Sequence, residues 1–236
     1  MIAVWRKELR SYFVTPVAYV CMGAFLALTS LIFYVNILEK HSSDLPIFIL
    51  WMSYLWMLIC PVLTMRLFAE ERQKRTDQLL FTSPVSLTRI VLGKYLAAAT
   101  VLLITVLLTL VYAAVVAVYG RLYFPEALMA YLGFILQGCA FVAIDLALSA
   151  LFRSPIVAAA AGFGLNLALW IMDLLALYTP SWVSNILSFL SLYSRNEPFI
   201  MGEFSPASTL FDLTVIAGAL AVSIHTLDAR RWKRGD

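Results

Sequence analysis

The sequence predicts an all-α polytopic membrane protein with six transmembrane helices. Hydrophobic residues make up 62% of the chain and charged residues only 13%, and the mean hydropathy is +0.88. Six apolar runs each hold roughly 20 residues, which is the length that a helix needs to cross about 30 Å of hydrocarbon. Short polar intervals separate the runs. The 236 residues are therefore expected to form a single transmembrane domain, residues 1–236, rather than soluble domains.

The first segment, residues 1–15, predicts an interfacial helix that precedes the spans. Apolar side chains such as Trp5 recur at helical spacing on one face, while three basic residues and Glu8 occupy the other faces. This division is typical of a helix lying in the membrane surface. Pro16 follows at the first turn of the first span, where the missing N–H of proline costs no hydrogen bond.

The six spans and one irregular region follow in order. The spans are expected at about residues 16–37, 46–67, 95–118, 128–152, 156–178 and 207–226. Between the last two spans, residues 180–205 contain short apolar pieces broken by polar residues and prolines. These pieces are too short to cross the membrane, so re-entrant or interfacial helices are expected, with backbone groups satisfied by protein or water.

The longest polar interval in the first half of the chain, residues 68–90, joins the second and third spans. Glu70 and Glu71 stand near the expected start of a helix, where carboxylates complement the helix dipole. Each precedes a basic residue by four positions, Lys74 and Arg75, in the favourable acid-first order. The interval is therefore predicted to be an ordered helical connector rather than an unstructured loop.

An apolar tip follows these charges. It consists of Leu79, Leu80 and Phe81, and the helix is expected to end at Ser83 because the residue before Pro84 avoids the helical region. Ser83 is also the expected cap of the segment that leads into the third span. These residues leave two interpretations open: a docking surface for a partner, or a solvated loop whose leucines lie on the lipid interface.

The basic residues predict the orientation of the chain. Fourteen of the 17 lysines and arginines fall on one side of the six-span arrangement, and the exceptions are Lys40, Arg121 and Arg195. Because short cytoplasmic loops carry an excess of basic residues, both termini and the connector are predicted to be cytoplasmic. The expected location is the inner (plasma) membrane.

Few polar side chains interrupt the spans. Asp145 lies about two-thirds along the fourth span, where a charged group costs about 2.5–3.5 kcal/mol, so it should face protein or water. Two roles remain open for it: a group in a transport pathway, or a hydrogen-bonding partner for a neighbouring helix. Asn166 is expected to link helices, and Asp173 and Asp212 are expected near the membrane surface.

The fifth span carries small residues that include Ala158 and Gly162. A face of small residues lets another helix approach closely. The partner helix could belong to the same chain or to a second copy.

Several kinds of chemistry have no signature in this sequence. The phosphate-binding pattern GxxxxGK[ST] does not occur, because Gly93-Lys94 is followed by Tyr95 and no glycine loop precedes it. The two histidines, His41 and His225, are predicted on opposite sides of the membrane, and the three cysteines lack metal-ligand spacing. No metal site and no catalytic residue is predicted, so any nucleotide chemistry must belong to another chain.

The connector resembles a known family. The run FAEERQKRTDQLLFTSPVSLTRIVLGK, residues 68–94, resembles the cytoplasmic loop between spans two and three of ABC-2-type transporter permeases. It is most similar to the short six-span branch of gliding-motility and nitrous-oxide-accessory permeases, and the opening WRKELRSYFVTPVAY is similar to that branch as well. The branch often has Gly where this chain has Arg75, a change that leaves helix formation intact.

The resemblance implies a mechanical role with separate energy-supplying subunits. In that family the loop is a coupling helix that docks on an ATP-binding subunit, two of which work with two permease chains. ATP and Mg would be bound by that partner, and this chain would bind no cofactor and no nucleic acid. The implied contacts with the partner are Glu70, Glu71, Arg72, Arg75, Thr76, Leu79, Leu80, Phe81 and Pro84.

Two other classes of function remain as alternatives. The first is a subunit of an ABC-like complex that transmits force or a signal without moving a substrate. The second is an intramembrane enzyme built around Asp145. ATP-driven transport by the assembled complex distinguishes the exporter from the first, and activity of the isolated chain would favour the second.

Overall fold

A computed structural model of the chain describes residues 1–39, 42–74, 86–176, 178–180 and 191–232. It contains no strand within these residues. The helices are α1 Ile2–Val14, α2 Pro16–Phe33, α3 Leu45–Thr64, α4 Ala69–Gln73, α5 Leu87–Tyr119, α6 Phe124–Leu151, α7 Pro155–Ala176, α8 Leu192–Ile200 and α9 Pro206–Trp232. Six of them are long and apolar enough to cross a membrane: α2 with its π-helical continuation Tyr34–Leu38, α3, α5, α6, α7 and α9. The predicted fold class is confirmed.

Prolines set where most of these long helices begin. Five of the six have a proline in the first turn, where the first backbone N–H groups have no partner within the helix. These prolines are Pro16, Pro46, Pro125, Pro155 and Pro206. The sequence could therefore give the helix starts within a few residues.

The helix of the third span includes the segment that the sequence predicted to lead into it. It starts at Leu87 with Ser86 at the cap position, three residues after the expected cap Ser83, while Ser83 and Pro84 lie outside the described residues. At 1.5 Å per residue, its 33 residues extend about 50 Å, which exceeds the hydrocarbon thickness. Arg89 and Lys94 therefore interrupt the apolar run without interrupting the helix, as the sequence predicted.

The centre of the bundle is formed by α3 and α6. In the apolar stretch of α6, 61% of the residues are buried. The corresponding share is 17% in α7 and 17% in α9, so α7 and α9 lie at the periphery. Phe25 of α2 stacks on Phe134 of α6 and meets the edge of Trp56 of α3. Both phenylalanines are fully buried, which fixes the three helices against one another.

The amphipathic α1 lies across α5. Trp5 donates a hydrogen bond to the hydroxyl of Thr100 over 3.0 Å, and Val4 packs on Gly93, where an added Cβ would lie 2.9 Å from the valine side chain. The Tyr12 hydroxyl donates to the carbonyl of Leu63 at the end of α3 over 2.9 Å. Burial raises the pKa of Tyr12 well above its ordinary value, so the hydroxyl remains a neutral donor.

Candidate functional site

One end of the bundle concentrates the charged side chains that join several helices. We call it the basic end; it comprises α1, α4, the start of α5, and the ends of α6 and α9. Hydrogen bonds and ion pairs connect all five of these parts. The sequence placed the connector and both termini on one side, and the contacts of these elements agree with that arrangement.

Lys94 is the centre of this network. Its side chain is 1% exposed, and Nζ lies 2.9 Å from Glu71 Oε1 of α4 and 3.1 Å from Glu8 Oε1 of α1. Nζ also donates to the carbonyl of Leu67 over 2.6 Å and stands 5.1 Å from the centre of the Phe68 ring. A buried ammonium requires such partners, because an unpaired charge in this environment would be very costly. One cation thus joins α1, α4 and α5.

Glu71 has partners that the sequence did not suggest. Its predicted pair with Arg75 lies outside the described residues. Within the described residues, Glu71 faces the bundle, where it contacts Lys94 and lies 3.7 Å from Lys7. The pair spacing on a helix gives no information about which face is turned towards the rest of the fold, so sequence alone could not select this partner.

Glu70 forms the local pair that was predicted. Its Oε1 accepts from Lys74 over 2.7 Å, and Arg66 of the α3–α4 turn holds both carboxylate oxygens. The Arg66 contact was not predicted from the sequence. Two cations around one partly exposed carboxylate keep α4 attached to the turn that precedes it.

The N-terminus of α4 is capped by a residue of another helix. Ser149 of α6 accepts hydrogen bonds from the N–H groups of Phe68 and Ala69, both at 3.2 Å, and donates to the carbonyl of Met65 at 3.0 Å. A helix N-terminus normally takes its cap from the preceding residues in the chain. Here the cap comes from 80 residues away, so α4 is attached directly to the central helix.

Two arginines hold the C-terminus of α6. Arg72 of α4 donates from Nη1 to the carbonyls of Ala150, Leu151 and Phe152, and Arg230 of α9 donates to the first two of these. Basic groups are favourable there because the last carbonyls of a helix lack internal partners and carry negative partial charge. Arg72 is also one of the residues that the resemblance implies as contacts with the partner, and in the described structure it binds α6.

The remaining predicted contact residues are Arg75, Thr76, Leu79, Leu80, Phe81 and Pro84, and they lie outside the described residues.

The predicted polar residues of the fourth and fifth spans meet inside the bundle. Asn166 of α7 donates to both carboxylate oxygens of Asp145 on α6, at 3.2 and 3.3 Å, and to the carbonyl of Met57 on α3. Of the two roles left open for Asp145, these contacts are those of a group that links helices.

Gly162 makes this junction possible. A Cβ at this position would lie 2.7 Å from Asp145 Oδ1 and 3.0 Å from the side chain of Pro61, so α7 can approach only without a side chain there. Ala158, one turn away, is buried at the same face. The helix contacted by this small-residue face therefore belongs to the same chain.

The opposite end of the bundle is organised around α8. Asp173 of α7 accepts from the hydroxyls of Ser191 and Ser194, and Ser191 in turn caps the N-terminus of α8. Further along α8, Asn196 donates to Gln137 of α6 over 2.9 Å. Asp212, which was expected near the membrane surface, is only 3% exposed.

A comparison with protein families decides the class of the chain. A family model described as ABC-2 family transporter protein matches residues 13–224, which is most of the sequence. The chain belongs to the ABC-2 transporter family. A search of curated proteins found no matching relative.

Membership of the ABC-2 family supports the role of a permease component in an ABC exporter, in a multi-pass membrane protein. The matched region runs from the end of α1 to α9 and includes α4 with its contacts to Ser149 and Lys94. No group of three or more potential metal ligands occurs within the described part of this ABC-2 protein.

The sequence interpretation missed several residues of the basic end, chiefly Glu8, Ser149 and Arg230, and it assigned no partner to Lys94. One signal was available for Lys94. A lysine on an apolar helix must find carboxylates or reach water, and Glu8 is the only acid in residues 1–15. For Ser149 no signal existed, because a serine in a long helix commonly bonds its own backbone.

Proposed function

We propose that this protein is the membrane-spanning permease subunit of an ATP-driven ABC-2 exporter, worked by a separate ATP-binding subunit. That subunit would bind ATP and Mg and would dock on the connector between α3 and α5. Two permease chains and two ATP-binding subunits would form the complete transporter. The permease would belong to the short six-span branch that includes the gliding-motility and nitrous-oxide-accessory permeases. The protein would lie in the inner (plasma) membrane, with both termini and the connector in the cytoplasm.

The observation that carries the proposal is the attachment of α4 to α5 and α6 and, through Lys94, to α1. Glu71 binds Lys94, Ser149 caps the start of α4, and Arg72 holds the end of α6. A connector with no mechanical role would need none of these contacts. A force applied to α4 would reach α1 and α5 through Lys94, and α6 through Ser149 and Arg72.

The mechanism needs two arrangements of the bundle that differ little in free energy, one of which is favoured when the ATP-binding subunits close. The peripheral helices α7 and α9 and the central helices α3 and α6 would change their packing between these arrangements. The junction of Asp145, Asn166 and Gly162 lies where α3, α6 and α7 meet. During this change its hydrogen bonds would have to persist, or break and form again.

The apolar tip would supply most of the affinity for the ATP-binding subunit. Leu79 and Leu80 each contribute about 1.5–3 kcal/mol when fully transferred from water into a pocket, whereas an exposed ion pair usually contributes less than about 1 kcal/mol. We therefore expect Leu79→Asp combined with Leu80→Asp to abolish binding without unfolding the bundle.

The test is co-purification of the permease with an ABC ATP-binding subunit, together with the rate of ATP hydrolysis by the complex. A control is Tyr178→Asp, which introduces one aspartate at an 86% exposed position at the other end of the bundle. The control should bind and stimulate hydrolysis as the wild type does. If the double variant also binds and stimulates normally, the connector is not the docking element.

A further inference from the structure

The outer face of α1 carries two arginines whose role none of the contacts described above explains. Arg6 and Arg10 are exposed, and no carboxylate in the described part of the chain forms an ion pair with either. Glu8, the only acid in residues 1–15, points the other way, towards Lys94. The two arginines are therefore a positively charged pair with no counter-charge from their own helix.

The faces of α1 divide into three. The contacts to α3 and α5 are made by Val4, Trp5, Glu8 and Tyr12. At 3.6 residues per turn, Ile2 and Phe13 lie about 100° further around the helix, and Ile2 is 66% exposed. Phe13 packs edge-on against the exposed Tyr19 of the first span, which extends this apolar strip towards the membrane.

The arginines lie at the border of the apolar strip. Arg6 is about 40° from Ile2 around the helix, and Arg10 follows one turn later on the same side, so their Cβ atoms are about 5–6 Å apart. When the apolar strip is buried in the acyl region of a bilayer, the two arginine side chains at its border lie at the depth of the lipid phosphates. Two guanidinium groups one turn apart can share one phosphate group, with paired N–H donors from each.

We propose that Arg6 and Arg10 bind the phosphate of an anionic phospholipid in the leaflet next to the basic end. The lipid would fix the depth and rotation of α1. Because the opposite face of α1 carries Glu8, the bound lipid would keep this carboxylate 3.1 Å from Lys94 and so maintain the link between α1 and α4. The protein would recognise the headgroup charge, and the acyl chains would lie along Ile2 and Phe13.

The experiment uses the full chain purified in detergent, with phosphatidylglycerol and phosphatidylcholine added in separate titrations. Tryptophan fluorescence reports the melting temperature, and native mass spectrometry counts the retained lipids. For the wild type we expect phosphatidylglycerol to raise the melting temperature by at least about 3 °C more than phosphatidylcholine. Arg6→Gln combined with Arg10→Gln should remove this difference and the retained phosphatidylglycerol.

Two controls separate a lipid site from general charge effects. Arg121→Gln removes an exposed arginine at the other end of the bundle and should keep the full difference between the lipids. Inorganic phosphate at the same concentration should not reproduce the effect of phosphatidylglycerol. The proposal is wrong if the wild type responds equally to both lipids, if phosphate suffices, or if the double variant retains the lipid as the wild type does.

A second measurement covers the case in which the double variant is too unstable to melt cooperatively. Arg6→Lys with Arg10→Lys keeps both charges but loses the paired N–H donors. This variant should fold and retain less phosphatidylglycerol than the wild type does. Equal retention by the lysine variant would mean that the surface attracts anionic lipid only by its charge, and the phosphate-sharing site would be rejected.

Discussion

Glu71 of α4 and Lys94 of α5 form an ion pair of 2.9 Å in which the lysine is 1% exposed. The pair joins the start of the connector, just after the second span, to the first part of α5. It also places a charge at the one point where α1, α4 and α5 meet. The consequence is that these three elements are expected to move together.

Removal of Lys94 should therefore destabilise the protein strongly. Lys94→Met leaves Glu8 and Glu71 with only the exposed Lys7, at 3.6 and 3.7 Å, as a neighbouring cation. Breaking a buried ion pair from one side costs about 3–5 kcal/mol. Thermal unfolding in detergent, followed by tryptophan fluorescence, measures the loss. Glu8→Gln and Glu71→Gln added to Lys94→Met should recover much of it.

Lys74→Met is the matched control for this prediction. Lys74 also pairs with a glutamate of α4, but its side chain is 66% exposed, so the loss should be less than about 1 kcal/mol. Equal effects of Lys74→Met and Lys94→Met would mean that burial of the Lys94 pair has no energetic importance.

Two glycines of α7 give a second prediction. Gly162→Leu should lower the stability by about 1–3 kcal/mol or more, because the added side chain meets Asp145 and Pro61. Gly164→Leu makes the same chemical change two residues later, at a position with no atom within 4 Å of an added Cβ, and should be harmless. Thermal unfolding of the two variants compares them directly. A destabilised Gly164→Leu with an unchanged Gly162→Leu would reverse the proposed orientation of α7.

The cap of α4 is tested by Ser149→Ala. This change leaves the N–H groups of Phe68 and Ala69 without their acceptor and should cost about 1–2 kcal/mol. Amide hydrogen exchange in residues 69–73 should become faster. Ser53→Ala is the control, since Ser53 is equally buried but its hydroxyl bonds only the carbonyl of Ile49 in its own helix. Unchanged exchange in Ser149→Ala would show that α4 does not depend on this cap.

The orientation of the chain gives a fourth prediction. In a background without the native cysteines, Arg121→Cys and Glu203→Cys should react with a membrane-impermeant reagent added outside intact cells, because both positions are exposed at the end opposite α4. Gln73→Cys, also exposed, should react only after the membrane is opened. Labelling of position 73 from outside would contradict cytoplasmic placement of the connector.

The sequence by itself determined the elements that depend on local composition. Apolar runs of sufficient length identified the six long helices, first-turn prolines marked most of their starts, and the i,i+4 spacing predicted the pair of Glu70 with Lys74. Each of these features depends on residues within one or two helical turns, so the local sequence is enough to predict it. The sequence also predicted that the helix of α5 continues through Arg89 and Lys94, although its cap is Ser86 rather than Ser83.

The tertiary structure alone decided which polar groups meet. Glu8 and Lys94 are 86 positions apart, Ser149 and Phe68 are 81 apart, and Asn166 reaches Met57 across 109. Whether such groups come together depends on the rotation and height of each helix in the bundle, which are set by packing at positions such as Gly93 and Gly162. Glu71 illustrates the difference: its place in a helix was predictable from neighbouring residues, but the face it presents to Lys94 was fixed only when the helices packed.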